Sequence, residues 1–266
     1  MTPHDLGFPG LASVPPRAMD PVEWALRLEL AACYQVFDHL GWHEAIFNHI
    51  SLRVPGPEHH YLVNPFGLNY AEVCASNLIK VDIHGANVDD SPWRGNPAAF
   101  AIHGAIHSAR PDAQCVMHTH TTAGMAVACK AGGLRHDDFY GAILYGDVSY
   151  HDFEGITVRS DERERLVASL GKSNVLILRN HGLLVTGQTL PQAFFRCWTL
   201  QRACEVQLAA ASMAGGDTVL DEAVRRQSGK DASAFDPAGT VPRLVFEGAV
   251  RRMEMVRAGR YIDWRQ

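Results

Sequence analysis

The sequence predicts a mixed α/β domain with a C-terminal extension. Three observations carry that reading. Segments with apolar residues at helical spacing alternate with short strand-like runs, turn residues separate them, and the pattern weakens after Met213. Residues 1–20 read as a proline-rich N-terminal arm, 21–213 as the domain, and 214–266 as an extension with one helix.

Asp20 can cap a first helix over Pro21 to Leu40, with Pro21 in its first turn, Glu23 completing a capping box and Gly41 ending it. Leu26, Leu30, Cys33, Phe37 and Leu40 share one face of that helix. Three strand-like runs follow, HISLRVPG, YLVNP and NLIKVDIHG, separated by Pro, Gly and Asn turns. Pro97 to Ala109 reads as a helix, and Ala113 to Thr119 as a strand that ends in histidines. Thr121 to Ala131 reads as a helix closed by Gly132 and Gly133. An irregular stretch then leads to a strand GITVR, a charged helix over Asp161 to Leu170, and a strong strand NVLILRNHG, with LLVTG continuing the sheet. A long helix spans Pro191 to Met213. The last, over Arg243 to Arg257, is basic and amphipathic, and reads as a lid or an oligomer contact rather than a membrane helix.

The 266 residues, 47% hydrophobic and 20% charged, suffice for one sizeable core. A net charge of −5 argues against a dedicated nucleic-acid binder. No apolar run approaches the roughly 20 residues that cross a bilayer, and the first 20 residues lack a signal peptide's basic start and apolar stretch. The expected location is cytoplasmic, with no membrane partner. None of the six cysteines makes a C-x-x-C pair, so buried free thiols are expected.

Several motifs fail. Gly171-Lys172-Ser173 ends like a phosphate-binding loop, but Leu166 stands where its first glycine belongs. His43-Glu44 opens like a zinc-protease helix, but Phe47 occupies the second histidine's position. There is neither a G-x-G-x-x-G after a strand nor a G-x-S-x-G elbow.

The fourteen histidines carry the chemistry. In CVMHTH, His118 and His120 lie two apart on a strand, so their imidazoles project from one face and can meet one ion, although a solvated pair has the same spacing. His181, in LRNHG, sits where an apolar strand runs into a glycine turn and is the best third ligand. Three protein ligands leave positions open for substrate, as a catalytic metal requires. His103 and His107 lie one helical turn apart, and His103 is a candidate because its helix leads into the HxH strand. His59, His60 and His151 read as solvated or structural.

Taken in order, FNHISLRVPG, NPFGLNYAEV, IHGAIHSARPDAQCVMHTHT and ILRNHGLLVTG resemble the class II aldolase/adducin family from about Pro21 to Met213. The resemblance implies a three-layer α/β/α domain around a mostly antiparallel sheet. It also implies a homotetramer with active sites near subunit interfaces, and a divalent metal that polarises a carbonyl of a small-molecule substrate. Zinc is the first expectation, with manganese and iron as alternatives. The family's metal positions fall on His118, His120 and His181. The adducin-like branch that lost catalysis lacks these ligands, so their presence here argues for an enzyme.

Departures from the family pattern narrow the chemistry. Counting back from RPDA, the family's catalytic glutamate falls on Ala99. Its phosphate-holding hydroxyls fall on Phe66, Pro97 and Ala98, which leaves the backbone N–H of Gly67, and Asn48-His49 replaces Gly-Asn before the first strand. The proton-donating tyrosine falls on Phe139 or Tyr140, with Tyr140 the candidate acid. The expected function is therefore a metal-dependent carbon–carbon lyase, a decarboxylase or aldolase-like enzyme, acting on a non-phosphorylated carbonyl or carboxylate substrate. Asn48, His49, Phe66 and Gly67 would line the pocket, with His49 holding a carboxylate. The alternatives are a non-heme Fe(II) oxygenase performing oxidative decarboxylation and a non-catalytic adducin-like interaction module.

Overall fold

The structure is a computed structural model and describes residues 19–156, 161–257 and 263–266. Most of the expected N-terminal arm and residues 157–159 of the expected GITVR strand lie outside the described residues.

Among the described residues seven strands form one sheet: β1 (His49–Arg53), β2 (Tyr61–Val63), β3 (Ile79–Val81), β4 (Cys115–Thr119), β5 (Val148–His151), β6 (Val175–Leu178) and β7 (Gly182–Gly187). Their order is β3-β2-β1-β4-β7-β6-β5, antiparallel throughout except for the β5–β6 pair. The sheet is α/β and mostly antiparallel, as the resemblance implies.

Strand alternation sorts the core into two layers. Cys115, Met117, Ile177, Leu183 and Val185 face helices α1 (Pro21–Leu40), α3 (Thr122–Ala128), α6 (Leu190–Ala211) and α8 (Thr240–Arg257). Val116, Leu176, Leu178 and Leu184 face α2 (Pro97–Ala109) and α5 (Glu162–Leu170). His118 shares the parity of Val116 and belongs to the α2 side.

Local chemistry sets the boundaries. Asp20 accepts from the backbone N–H groups of Val22 and Glu23, Pro21 fills the first turn of α1, and Gly41 closes it at φ 72°. The Glu23 carboxylate also receives Arg27 at 2.8 Å and Lys80 at 2.7 Å, tying α1 to β3. The expected strand 174–182 is shorter than its apolar run. It stops at Leu178 because Asn180 turns the chain at φ 56°, a left-handed conformation asparagine tolerates, and β7 then returns antiparallel, so that LLVTG continues the sheet as expected.

Two elements, α4 (Phe139–Ile143) and β5, occupy the stretch read as irregular, and α7 (Glu222–Phe235) lies in the weakly patterned tail. A single-turn helix and a half-buried four-residue strand are too short to show a period. The C-terminal helices are integrated into the fold. Phe246, Val250 and Met253 of α8 join the core formed with α1 and α6, Arg257 donates to Gln35 Oε1 at 2.9 Å, and the Trp264 carbonyl accepts from Ala75 N at 3.0 Å. Cys33, Cys74, Cys115, Cys197 and Cys204 are buried free thiols, whereas Cys129 is exposed. No described helix is long and apolar enough to cross a membrane.

Candidate metal centre

His118 is the penultimate residue of β4, His120 follows one residue past the strand, and His181 leaves the β6–β7 turn beside them. One ring nitrogen from each lies within 4.8 Å of the other two. The Nε2 atoms of His118 and His120 are 2.7 Å apart, and the His181 ring centroid is 4.8 Å from that of His118 and 4.9 Å from that of His120. Gly182 makes this approach available. A Cβ there would lie 2.5 Å from the Thr119 carbonyl oxygen and 2.9 Å from the His120 ring.

The imidazoles are held neutral. Burial pushes His118 well below the usual histidine range and brings His181 down to about 4, with neighbouring histidines adding to both effects. Burial lowers His120 too, against an opposing pull from Glu44. Nδ1 of His118 donates to the Leu183 carbonyl at 2.9 Å, which leaves its Nε2 as a lone pair. Three neutral nitrogen donors, one with its tautomer fixed from behind, fit a borderline divalent cation. Among the described residues no carboxylate completes the group.

His49 stands beside the cluster, paired with His118 across β1 and β4, with ring centroids 5.0 Å apart. Its Nδ1 is 2.7 Å from Nε2 of His103. His103 is fully buried on α2 and hydrogen-bonds to His49 and Ser51 rather than to the triad. Asn48 turns elsewhere: its amide nitrogen donates to the Trp42 carbonyl at 3.2 Å, and Trp42 belongs to the core on the α1–α6 side. Phe66 is partly exposed and pairs with Phe47 at 6.3 Å, and Gly67, at φ 104°, has open space around it. Tyr140 packs against α6, 5.5 Å from Trp198 and 5.6 Å from the Arg202 guanidinium. Arg53 donates to the His107 carbonyl.

The N-terminus of α2 is closed to anions. Pro97 has no N–H, Ala98 N–H donates to Asn96 Oδ1 at 3.0 Å, and Ala99 N–H donates to the Asn96 carbonyl at 3.0 Å. Ala99 itself is fully buried and offers no base.

Two contributors are not singled out by the sequence reading, Ser51 and the Leu183 carbonyl, and Gly182 reads there only as a turn residue. Ser51 lies two residues past His49 on the same strand face, a spacing that could have revealed it. A backbone carbonyl leaves no trace in residue type.

The Class II Aldolase and Adducin N-terminal domain profile matches residues 28–208. The chain belongs to the class II aldolase and adducin family. The structure of an aldolase II superfamily protein from Pseudomonas syringae is similar at TM-score 0.87 and 40% identity, covering 94% of this chain and 98% of that one. The structure of an L-fuculose 1-phosphate aldolase from Glaciozyma antarctica PI12 is similar at TM-score 0.78 and 28% identity, covering 94% of this chain and 97% of that one. Alpha-adducin of Mus musculus is 43% identical over 226 residues, 84% of this chain and 31% of adducin. The family thus contains both an aldolase and adducin, and the site must separate the two.

Proposed function

We propose that this chain is a divalent-metal-dependent carbon–carbon lyase acting on a non-phosphorylated carbonyl or carboxylate substrate. The observation that carries the reading is the convergence of His118, His120 and His181 with the His118 tautomer fixed by Leu183. These three side chains would hold the metal, zinc first. When bound, it supplies a Lewis acid that stabilises negative charge developing on a substrate oxygen.

The chain's own groups argue for decarboxylation over retro-aldol cleavage. Retro-aldol cleavage requires a base to take a hydroxyl proton, and Ala99 cannot serve. Departing CO₂ leaves its bonding electron pair on carbon, so that proton removal is not required. The capped end of α2 and the aromatic Phe47–Phe66 pair suit an apolar body better than a phosphate. Tyr140 is the proposed proton donor and His103 acts behind His49.

The test loads the protein with Zn, Mn or Fe(II), measures the bound metal, and follows CO₂ release from small keto and aromatic acids beside cleavage of L-fuculose 1-phosphate. Metal-dependent CO₂ release without sugar-phosphate cleavage supports the proposal. Efficient cleavage of the sugar phosphate, or no stoichiometric metal, overturns it. The absence of a carboxylate from the described histidine group disfavours the Fe(II) oxygenase. The 43% identity to alpha-adducin favours an interaction module as the second reading, and a protein that binds neither metal nor small acids would establish it.

A further inference from the structure

Behind the histidine triad runs a second, wholly buried set of polar groups joining β1 to α2. Nδ1 of His107 lies 3.0 Å from the Ala113 carbonyl oxygen, and Nε2 of His107 lies 2.8 Å from Ser51 Oγ. Ser51 Oγ is 2.5 Å from Nδ1 of His103, whose Nε2 is 2.7 Å from Nδ1 of His49. His49, Ser51, His103 and His107 are each 98% or more buried.

One atom sets every direction in this chain. A carbonyl oxygen only accepts, so His107 carries its proton on Nδ1 and, being neutral in its buried site, offers Nε2 as an acceptor. The Ser51 hydroxyl must then donate to His107 and accept from His103, which places the His103 proton on Nδ1. His103 Nε2 is left as an acceptor, so His49 must donate to it from Nδ1. The remaining nitrogen of His49, Nε2, then carries a lone pair and has no hydrogen-bond partner among the described residues. Its ring lies 5.0 Å from that of His118.

We propose that the His107–Ser51–His103 relay locks His49 in the Nδ1-protonated tautomer, so that its Nε2 presents a bare acceptor beside the triad and selects a substrate hydroxyl there over a carboxylate. The proposal rests on the lyase reading for the existence of a substrate at that place, and it narrows the substrate to a hydroxy acid whose hydroxyl, rather than its carboxylate, meets His49. It also reverses the role expected of His49 from sequence, because a neutral ring with a lone pair outward cannot donate to an anion. Ser51, His103 and His107 are positioning residues that act through His49.

The relay can be read without turnover. In the full-length protein labelled with ¹⁵N-histidine and free of metal, one-bond and two-bond ¹⁵N–¹H couplings report which ring nitrogen carries the proton. Spectra of His49→Gln and His107→Gln variants assign the signals. The expected result is protonation at Nδ1 in His49, His103 and His107. Protonation of His49 at Nε2 overturns the proposal, whatever the protein catalyses. Ser51→Ala should release His103 and give His49 a mixture of both tautomers, whereas Ser51→Thr, which keeps the hydroxyl, should restore one.

In the zinc-loaded protein, hydroxyacetone should bind roughly tenfold more tightly relative to pyruvate than it does in Ser51→Ala, the scale of one hydrogen bond. An unchanged ratio overturns the selective role. If the tautomers are as stated but the protein takes no metal, the lyase reading fails and the lock stands. If metal binds and His49 is protonated at Nε2, the lock alone fails.

Discussion

The Nδ1–H of His118 donates to the Leu183 carbonyl across the β4–β7 pair at 2.9 Å. The bond turns a residue of the sheet's own ladder into the support for a ligand. With Nδ1 occupied, the other nitrogen is the one left for an ion, and the ring cannot rotate without losing a buried hydrogen bond.

Removal of any one triad histidine should therefore strip the metal. His181→Ala is the mildest change structurally, because His181 lies in a turn rather than in the core. Its metal affinity, measured by competition with a chelator, should fall by at least about a hundredfold while the circular dichroism spectrum is kept. Unchanged metal content in His181→Ala would remove it from the ligand set.

Gly182→Ala probes the same centre from the backbone. Its Cβ would meet the Thr119 carbonyl at 2.5 Å and the two β4-end histidine rings at 2.9 and 3.3 Å, so β4 and β7 must separate or the rings must move. Metal affinity should drop about 10- to 100-fold, with a lower melting temperature in the metal-free protein. Wild-type affinity in this variant would show that the close approach is unnecessary.

The parts of this arrangement legible in the sequence are those that repeat with a period. The α1 face of Leu30, Cys33 and Phe37, the HxH of β4 and the strand before His181 all showed as spacing. What escaped were features made by chain crossing. The strand before His181 reads through to Gly182 because its flanks are apolar, and the left-handed backbone of Asn180 is what ends it at Leu178. The tail looked weak because α7 is mostly exposed, its buried point of contact being Gly229 against the Tyr145 carbonyl. Likewise His49 is far in sequence from His103 and His107, and the packing of β1 against α2 through Ser51 brings the three together.

Those buried histidines make the metal-free fold acid-sensitive. Burial holds His49 and His107 down at about 3 and His103 well below the usual range. In the unfolded chain these histidines titrate at about 6.5, so between that pH and about 3 the unfolded state binds more protons than the folded one and stability is lost as the pH is lowered. Each such histidine contributes up to about 1.4 kcal/mol per pH unit in that window. Urea unfolding of metal-free protein should show a loss on the order of 6 kcal/mol between pH 7 and 5, about 2 kcal/mol from each of the three rings. A flat profile across that range would mean that the three rings are not buried and neutral together.

Glu29 works in the opposite direction. It lies on α1, and burial raises its carboxyl from 4.5 to about 7, with Arg243 of α8 pulling the other way. Arg243 does not fully compensate, since its Nε already donates to Glu247 at 3.1 Å. A group bound more tightly to its proton when folded stabilises the fold fully below its unfolded pKa, and that contribution is lost as the pH rises through the folded value. For Glu29 the window is 4.5 to about 7. Above it the fold must hold a carboxylate in a site that prefers the acid. Glu29→Gln keeps the shape and removes the charge, so it should stabilise the protein at pH 8 by on the order of 2 kcal/mol and have little effect at pH 4.5. Paired urea melts of wild type and variant at the two pH values decide the matter. An equal difference at both would show that the substitution acts through packing or hydrogen bonding and that the Glu29 carboxyl ionises normally.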